Sequence, residues 1–121
     1  MPRTALIVDD SASIREMVAF TLREAGFTVM EGIHGADALE KLGNQRTDLI
    51  ITDLNMPVMD GLTFIRHVRG RANTKYTPVL MLTTESQLEK KQQAKAAGAT
   101  GWIVKPFHPT KLLEVIARVL P

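Results

Sequence analysis

Three carboxylates stand where apolar runs end. Asp9 and Asp10 follow "ALIV", and Asp53 follows "LIIT". Two further runs end in the hydroxyl pair Thr83-Thr84 and in Lys105-Pro106. Gathered at one rim, three anions repel one another unless cations intervene, and Lys105 offers one positive charge. Hard carboxylate oxygens with room for water are the ligand set of Mg²⁺. A zinc site would want His or Cys in close array, whereas the chain has no Cys and scatters His34, His67 and His108. A metal flanked by an ammonium and a hydroxyl is equipped to hold a phosphoryl group, with Thr83 giving a hydrogen bond. One carboxylate would then be the nucleophile, forming an acyl phosphate.

Each piece alone has a plainer reading. Asp-Ser-Ala-Ser after a strand is also helix-capping chemistry, Asp53 before Asn and Pro also starts a turn, and a lone lysine is usually a solvated cation. The conjunction decides the matter, because separate strand ends would each have to acquire a complementary group by accident.

The elements that must position these groups follow from the pattern. Short apolar runs at residues 5–8, 28–31, 49–52, 79–82 and 102–104 alternate with segments of helical period. Several runs are continuously apolar, as in strands buried on both faces of a parallel sheet, so the class is α/β. Ligands of such sheets bind outside the carboxyl ends of the strands, where the five groups above lie. The first helix is expected to open on a capping box, Ser13 to Glu16, to bury Met17, Val18, Phe20, Thr21 and Leu22, and to stop at Gly26. Further helices are expected over residues 36–42, 62–68 and 86–97, the last ended by a left-handed Gly98. A final helix starts near Pro109 and carries Leu112, Leu113, Val115, Ile116, Val119 and Leu120 toward the core.

At 121 residues the chain is one ordinary domain, 1–121, with no linker or repeat marking a second. No apolar run approaches the roughly 20 residues that span a bilayer, so no membrane insertion is expected. Without a signal peptide or any Cys, the expected compartment is the cytoplasm. Fifteen Lys and Arg against thirteen Asp and Glu leave only +2, and the one dense cluster, "RHVRGR", sits where cations favour a helix C-terminus. No nucleic acid partner is expected.

The stretches "LIVDDS", "DLIITDLNMPVMDGL", "VLMLTT" and "AAGATGWIVKPF" together resemble the motifs of response-regulator receiver domains over essentially the whole chain, residues 4–120. Among these the chain looks most like the free-standing, chemotaxis-type CheY-like members, because it carries no appended output domain. The resemblance implies a flavodoxin-like, CheY-like three-layer sandwich, a five-stranded parallel sheet in the order 2-1-3-4-5 with five helices. That order belongs to the family; the pattern of apolar runs does not dictate it.

The resemblance further implies that Asp53 accepts a phosphoryl group from the phosphohistidine of a sensor histidine kinase. Asp10 and Asp53 would bind Mg²⁺ directly, Asp9 through water, and the Asn55 carbonyl would complete the protein ligands. Lys105, across a cis bond to Pro106, would pair with the phosphoryl group, and Thr83 would swing in to it. Trp102 stands at the position of the aromatic that turns inward as the threonine moves. Asn55 and Glu85 stand at the positions that tune hydrolysis, and both are polar, so a short-lived phosphoryl state is expected. Two departures stand out: Thr84 occupies a position usually very small, and Trp102 is bulkier than the usual tyrosine or phenylalanine. The partner surface would lie on the fourth helix, fifth strand and fifth helix, around residues 86–97, Trp102 and residues 111–120. Its target would be a protein such as a flagellar motor switch component, and the chain is expected to be a monomer that transforms no external metabolite.

Three rivals share parts of this pattern. A phosphate sink in another phosphorelay would need the same active site. A flavodoxin-like FMN carrier would want a hydroxyl-rich or glycine-rich loop where "DDSAS" places anions. A Mg²⁺-dependent aspartyl-phosphate phosphatase would want a second aspartate two places after Asp53, where Asn55 stands.

Overall fold

In a computed structural model, which describes residues 2–120, strands and helices alternate along the chain. They are β1 (Thr4–Val8), α1 (Ala12–Glu24), β2 (Thr28–Gly32), α2 (Gly35–Leu42), β3 (Leu49–Thr52), α3 (Gly61–Arg69), β4 (Val79–Thr83), α4 (Leu88–Ala97), β5 (Gly101–Val104) and α5 (Pro109–Val119). The strands form one parallel sheet in the order β2-β1-β3-β4-β5. This is the flavodoxin-like arrangement expected.

The continuous apolar runs divide their side chains by the two-residue period of a strand. Ala5, Ile7, Leu49, Ile51, Leu80, Leu82 and Ile103 face α1 and α5, where Val18, Leu22, Leu112 and Ile116 meet them. Leu6, Val8, Ile50, Val79 and Met81 face the other way, onto Leu39 and Leu42 of α2, Phe64, Ile65 and Val68 of α3, and Ala94 of α4. Burial of each large aliphatic side chain on either face contributes roughly 1.5–3 kcal/mol. Covering both faces makes three layers and explains why β1, β3 and β4 show no polar alternation.

Register then aligns the strand ends. Val8 pairs with Thr52, Thr52 with Met81, and Thr83 with Val104. Asp9, Asp53 and Lys105 each follow the last residue of a strand and so emerge at the same rim.

Several local expectations are corrected. The cap of α1 is Ser11, whose Oγ accepts from the Ile14 N–H at 3.4 Å, and Ser13 and Glu16 are exposed. The chain turns two residues earlier than expected because the Asp9 carboxylate already accepts the Ser11 N–H at 2.9 Å. Phe20 is 65% exposed, since Val18, Ala19, Thr21 and Leu22 fill the buried arc and position 20 points away from it. In α5, Leu113 is likewise exposed, while Leu112 and Ile116 carry the burial. α4 starts at Leu88, not residue 86, because Glu85 turns its carboxylate onto the Gln87 N–H at 3.1 Å and delays the helix.

Gly98 closes α4 with φ 116°, a left-handed cap as expected. Its carbonyl accepts Arg69 Nε at 3.2 Å and Nη2 at 2.7 Å, tying α4 to the end of α3. No helix among the described residues is long and apolar enough to cross a membrane.

Candidate functional site

The site is built where β1, β3 and β5 end. One carboxylate oxygen from each of Asp9, Asp10 and Asp53 lies within 4.8 Å of the others. Asp9 and Asp53 are buried and Asp10 is exposed, so the cluster has a solvent side. Lys105 Nζ reaches in from β5 and donates to Asp9 Oδ2 at 2.7 Å and to Asp53 Oδ2 at 3.3 Å. Lys105 therefore sits nearer Asp9 than the phosphoacceptor candidate. The Lys105–Pro106 peptide is cis, as expected.

Burial pushes the Asp9 carboxyl above its ordinary 3.8, opposed by the hydrogen bonds from Lys105 and the Ser11 N–H. Its backbone is fixed as well: Asp9 N donates to the Gly32 carbonyl at 3.2 Å, and Arg15 Nη1 donates to the Asp9 carbonyl at 2.7 Å. Asp53 is oriented from its own loop, since the Leu54 N–H donates to Oδ1 at 2.7 Å. Three carboxyl groups face one ammonium, with their oxygens in a small space. That donor set fits a hard divalent cation such as Mg²⁺.

Residues 54–60 form the loop that carries Asn55. The Gly61 N–H donates to the Leu54 carbonyl at 2.8 Å, and Asp60 Oδ1 accepts the Thr63 N–H at 2.8 Å as the cap of α3. A Cβ on Gly61 would collide with the Asp53 carbonyl oxygen and the Leu54 Cα, so only glycine lets the loop close. At the tip, the Met59 N–H reaches the Pro57 carbonyl at 2.7 Å around Val58, which has φ 69°. This is a γ-turn, and it holds a β-branched residue in a strained region.

Thr83 ends β4 and is fully buried; its Oγ1 accepts the Glu85 N–H at 3.3 Å. Thr84 beside it is exposed at the rim. Glu85 is half-buried with its carboxylate on the Gln87 N–H, so in this arrangement it braces the start of α4. Trp102, opposite Met81 in the sheet, packs half-buried against the α2–α3–α4 core. Its Nε1 donates to the Glu85 carbonyl at 3.1 Å. Glu85 thus links the Thr83 hydroxyl to the Trp102 indole through its backbone. Sequence reasoning marked all three residues but missed the link, for which the only signal was that tryptophan carries an N–H donor.

The structure thus brings Asp9, Asp10, Asp53 and Lys105 into one cluster, with Asn55 on the adjoining loop. Thr83, Glu85 and Trp102 form a second group leading away from it. The backbone donors of Ser11 and Leu54 and the Arg15 guanidinium were not legible beforehand.

Comparison with known proteins agrees with this geometry. Residues 5–117 match the family described as the response regulator receiver domain. The chain is 42% identical over 117 residues to the chemotaxis protein CheY1 of Helicobacter pylori, covering 95% of this chain and 94% of that one. It superposes on the Vibrio cholerae chemotaxis protein CheY4 with a TM-score of 0.95 and 52% identity, covering 99% and 100% of the two chains. The receiver domain of a sensor histidine kinase from Pseudomonas aeruginosa, solved with a magnesium ion coordinated in its active-site cleft, matches at TM-score 0.89 and 26% identity over 98% of each chain. The chain belongs to the response regulator receiver domain family, with CheY proteins among its relatives.

Proposed function

We propose that Asp53 accepts a phosphoryl group from the phosphohistidine of a sensor histidine kinase, and that the modified domain binds a downstream protein in a chemotaxis pathway of the cytoplasm. The observation that carries this reading is the ammonium of Lys105 between Asp9 and Asp53 at the edge of a three-carboxylate cluster. Similarity to CheY proteins supports the pathway.

In this reading an Asp53 carboxylate oxygen attacks phosphorus, the P–O bond forms as the P–N bond breaks, and the imidazole leaves. The Leu54 N–H keeps the carboxylate oriented at Oδ1. Lys105, already 3.3 Å from Oδ2, pairs with the incoming oxygens. Asp9, Asp10, Asp53 and the Asn55 carbonyl would hold Mg²⁺, which supplies neutralisation of phosphoryl charge. Thr83 exchanges its bond from the Glu85 N–H for one to the phosphoryl group, releasing the β4–α4 connection and Trp102 with it. Phosphorylation thereby favours a second arrangement of that surface. Asn55 and Glu85 orient water for hydrolysis, so the state is short-lived, and the domain turns over only its own phosphoryl group.

Intact-mass spectrometry after incubation with acetyl phosphate is the test. A phosphoryl adduct that requires Mg²⁺ and is absent from Asp53→Asn is expected; an adduct of equal yield in that variant would place the acceptor elsewhere.

A further inference from the structure

The Asp10 carboxylate is exposed and makes no hydrogen bond or ion pair among the described residues. Lys105 and the Ser11 N–H hold the Asp9 carboxylate, whereas only its backbone places that of Asp10. The peptide unit that joins Asp9 to Asp10 is gripped at its oxygen, where Arg15 Nη1 donates to the Asp9 carbonyl at 2.7 Å. A peptide unit is planar, so a fixed oxygen fixes the plane from which the Asp10 side chain departs.

The grip is anchored in β2. Arg15 Nε lies 3.6 Å from Glu31 Oε1, and the Arg15 side chain is only 17% exposed. Glu31 stands one residue before Gly32, whose carbonyl accepts the Asp9 N–H at 3.2 Å. Glu31 is itself held, with Arg23 Nη2 3.6 Å from its Oε2 and Lys41 Nζ donating to its carbonyl at 2.9 Å. Arginine suits the task, because its rigid fork serves a carbonyl and a carboxylate from separate nitrogens. The pairing also governs charge. A guanidinium beside three carboxylates would compete with a metal for them, and Glu31 gives it another partner.

We propose that Arg15 is a positioning residue for the metal site: by holding the Asp9–Asp10 peptide against β2 it presets the Asp10 carboxylate for Mg²⁺. The proposal rests on the reading that the carboxylate cluster holds Mg²⁺. Preset groups lose less conformational freedom on binding, and residues that hold a metal ligand in place commonly carry about ten- to a hundredfold of the affinity. The sign of the effect separates this role from a field effect. A cation near the site repels Mg²⁺, so removing its charge alone would tighten binding, whereas removing the grip loosens it.

The test is a titration of the full, ¹⁵N-labelled chain with MgCl₂ at constant ionic strength, followed by amide chemical shifts. Arg15→Met keeps an aliphatic stem and a good helix former while deleting the donors. It should raise the Kd for Mg²⁺ about tenfold, and Arg15→Lys, which restores one donor, should recover part of the loss. Arg23→Ala removes an equal charge and touches Glu31 but not Asp9, so its Kd should stay within about twofold of wild type. With acetyl phosphate, adduct formation in Arg15→Met should lag at low Mg²⁺ and approach the wild-type rate as Mg²⁺ saturates. A Kd unchanged or tightened in Arg15→Met, or an equal loss in Arg23→Ala, would overturn the proposal. So would a wild-type chain without saturable Mg²⁺ shifts, but that result would remove the metal reading itself, which saturable wild-type binding with an unaltered Arg15→Met leaves standing.

Discussion

Gly61 shows how closely single residues are fitted around Asp53. Its missing Cβ lets the chain return over the Asp53 carbonyl and the Leu54 Cα. Gly61→Ala must displace backbone, which no side-chain rotamer relieves, so it should cost at least about 3 kcal/mol or prevent folding. A urea midpoint within error of wild type would contradict the packing. The carboxylates behave differently, because their repulsion is a cost that a ligand can remove. Mg²⁺ at ten times its Kd should stabilise the folded chain by about 1.4 kcal/mol through linkage, a rise of roughly 3–6 °C for a domain of this size. Asp10→Ala should abolish the rise, since it removes the exposed carboxylate of the cluster and leaves the buried Lys105–Asp9 pair intact. An equal rise in that variant would move the metal elsewhere.

Among the elements, α2 carries a reciprocal cap in which His34 Nδ1 accepts the Asp37 N–H at 3.1 Å and Asp37 Oδ2 accepts the Ile33 N–H at 2.9 Å. The Ile33 bond, aided by Lys41, holds the Asp37 carboxyl below its ordinary 3.8. The unfolded chain then binds the proton more tightly, so this stabilisation is full above 3.8 and is lost as pH falls through the lower folded value. Asp37→Asn should cost a few tenths to about 1 kcal/mol near neutral pH, and urea titrations should show the deficit shrink in strong acid. A constant deficit would mean that shape, not charge, is at stake. α4 differs from the other helices in burying one side chain, Ala94, and its N-cap Gln87 makes no side-chain cap bond. Its amides should exchange with solvent faster than those of α1, and equal protection would show that the Gly98–Arg69 tie alone secures it. The strands were legible because β1, β3 and β4 are apolar on both faces, and the site was legible because its members follow those strands directly. Helix starts and faces were less so. Ser11 and Ser13 are equivalent as letters, and only the Asp9 bond to the Ser11 N–H chooses between them. Phe20 looks like core by type, yet its angle around α1 points it outward.

Across the whole molecule, a change made at the acidic rim can reach other surfaces only through elements that can move. The opposite pole is a poor exit, since Arg69 donates to the Thr77 carbonyl and Asn73 to the Gln45 carbonyl, clamping its loops. The β4–α4 connection is the better one, because α4 is lightly anchored and Glu85 couples it to both Thr83 and Trp102. That route was half legible: the sequence placed a hydroxyl and an aromatic on consecutive strands, but the indole bond to a backbone carbonyl depends on how the β4–α4 connection folds. Trp102 is the only tryptophan in the chain, so its emission reports on the surroundings of this one indole, the bond to Glu85 among them. Acetyl phosphate with Mg²⁺ should change the emission of the wild type and leave Asp53→Asn unchanged. In Thr83→Ala the adduct should still form by mass, since Asp53 and Lys105 are intact, while most of the emission change disappears because the hydroxyl no longer trades the Glu85 N–H for the phosphoryl group. If emission in Thr83→Ala responds as fully as in wild type, the coupling runs by another path, and the Thr83–Glu85–Trp102 chain only braces the resting fold.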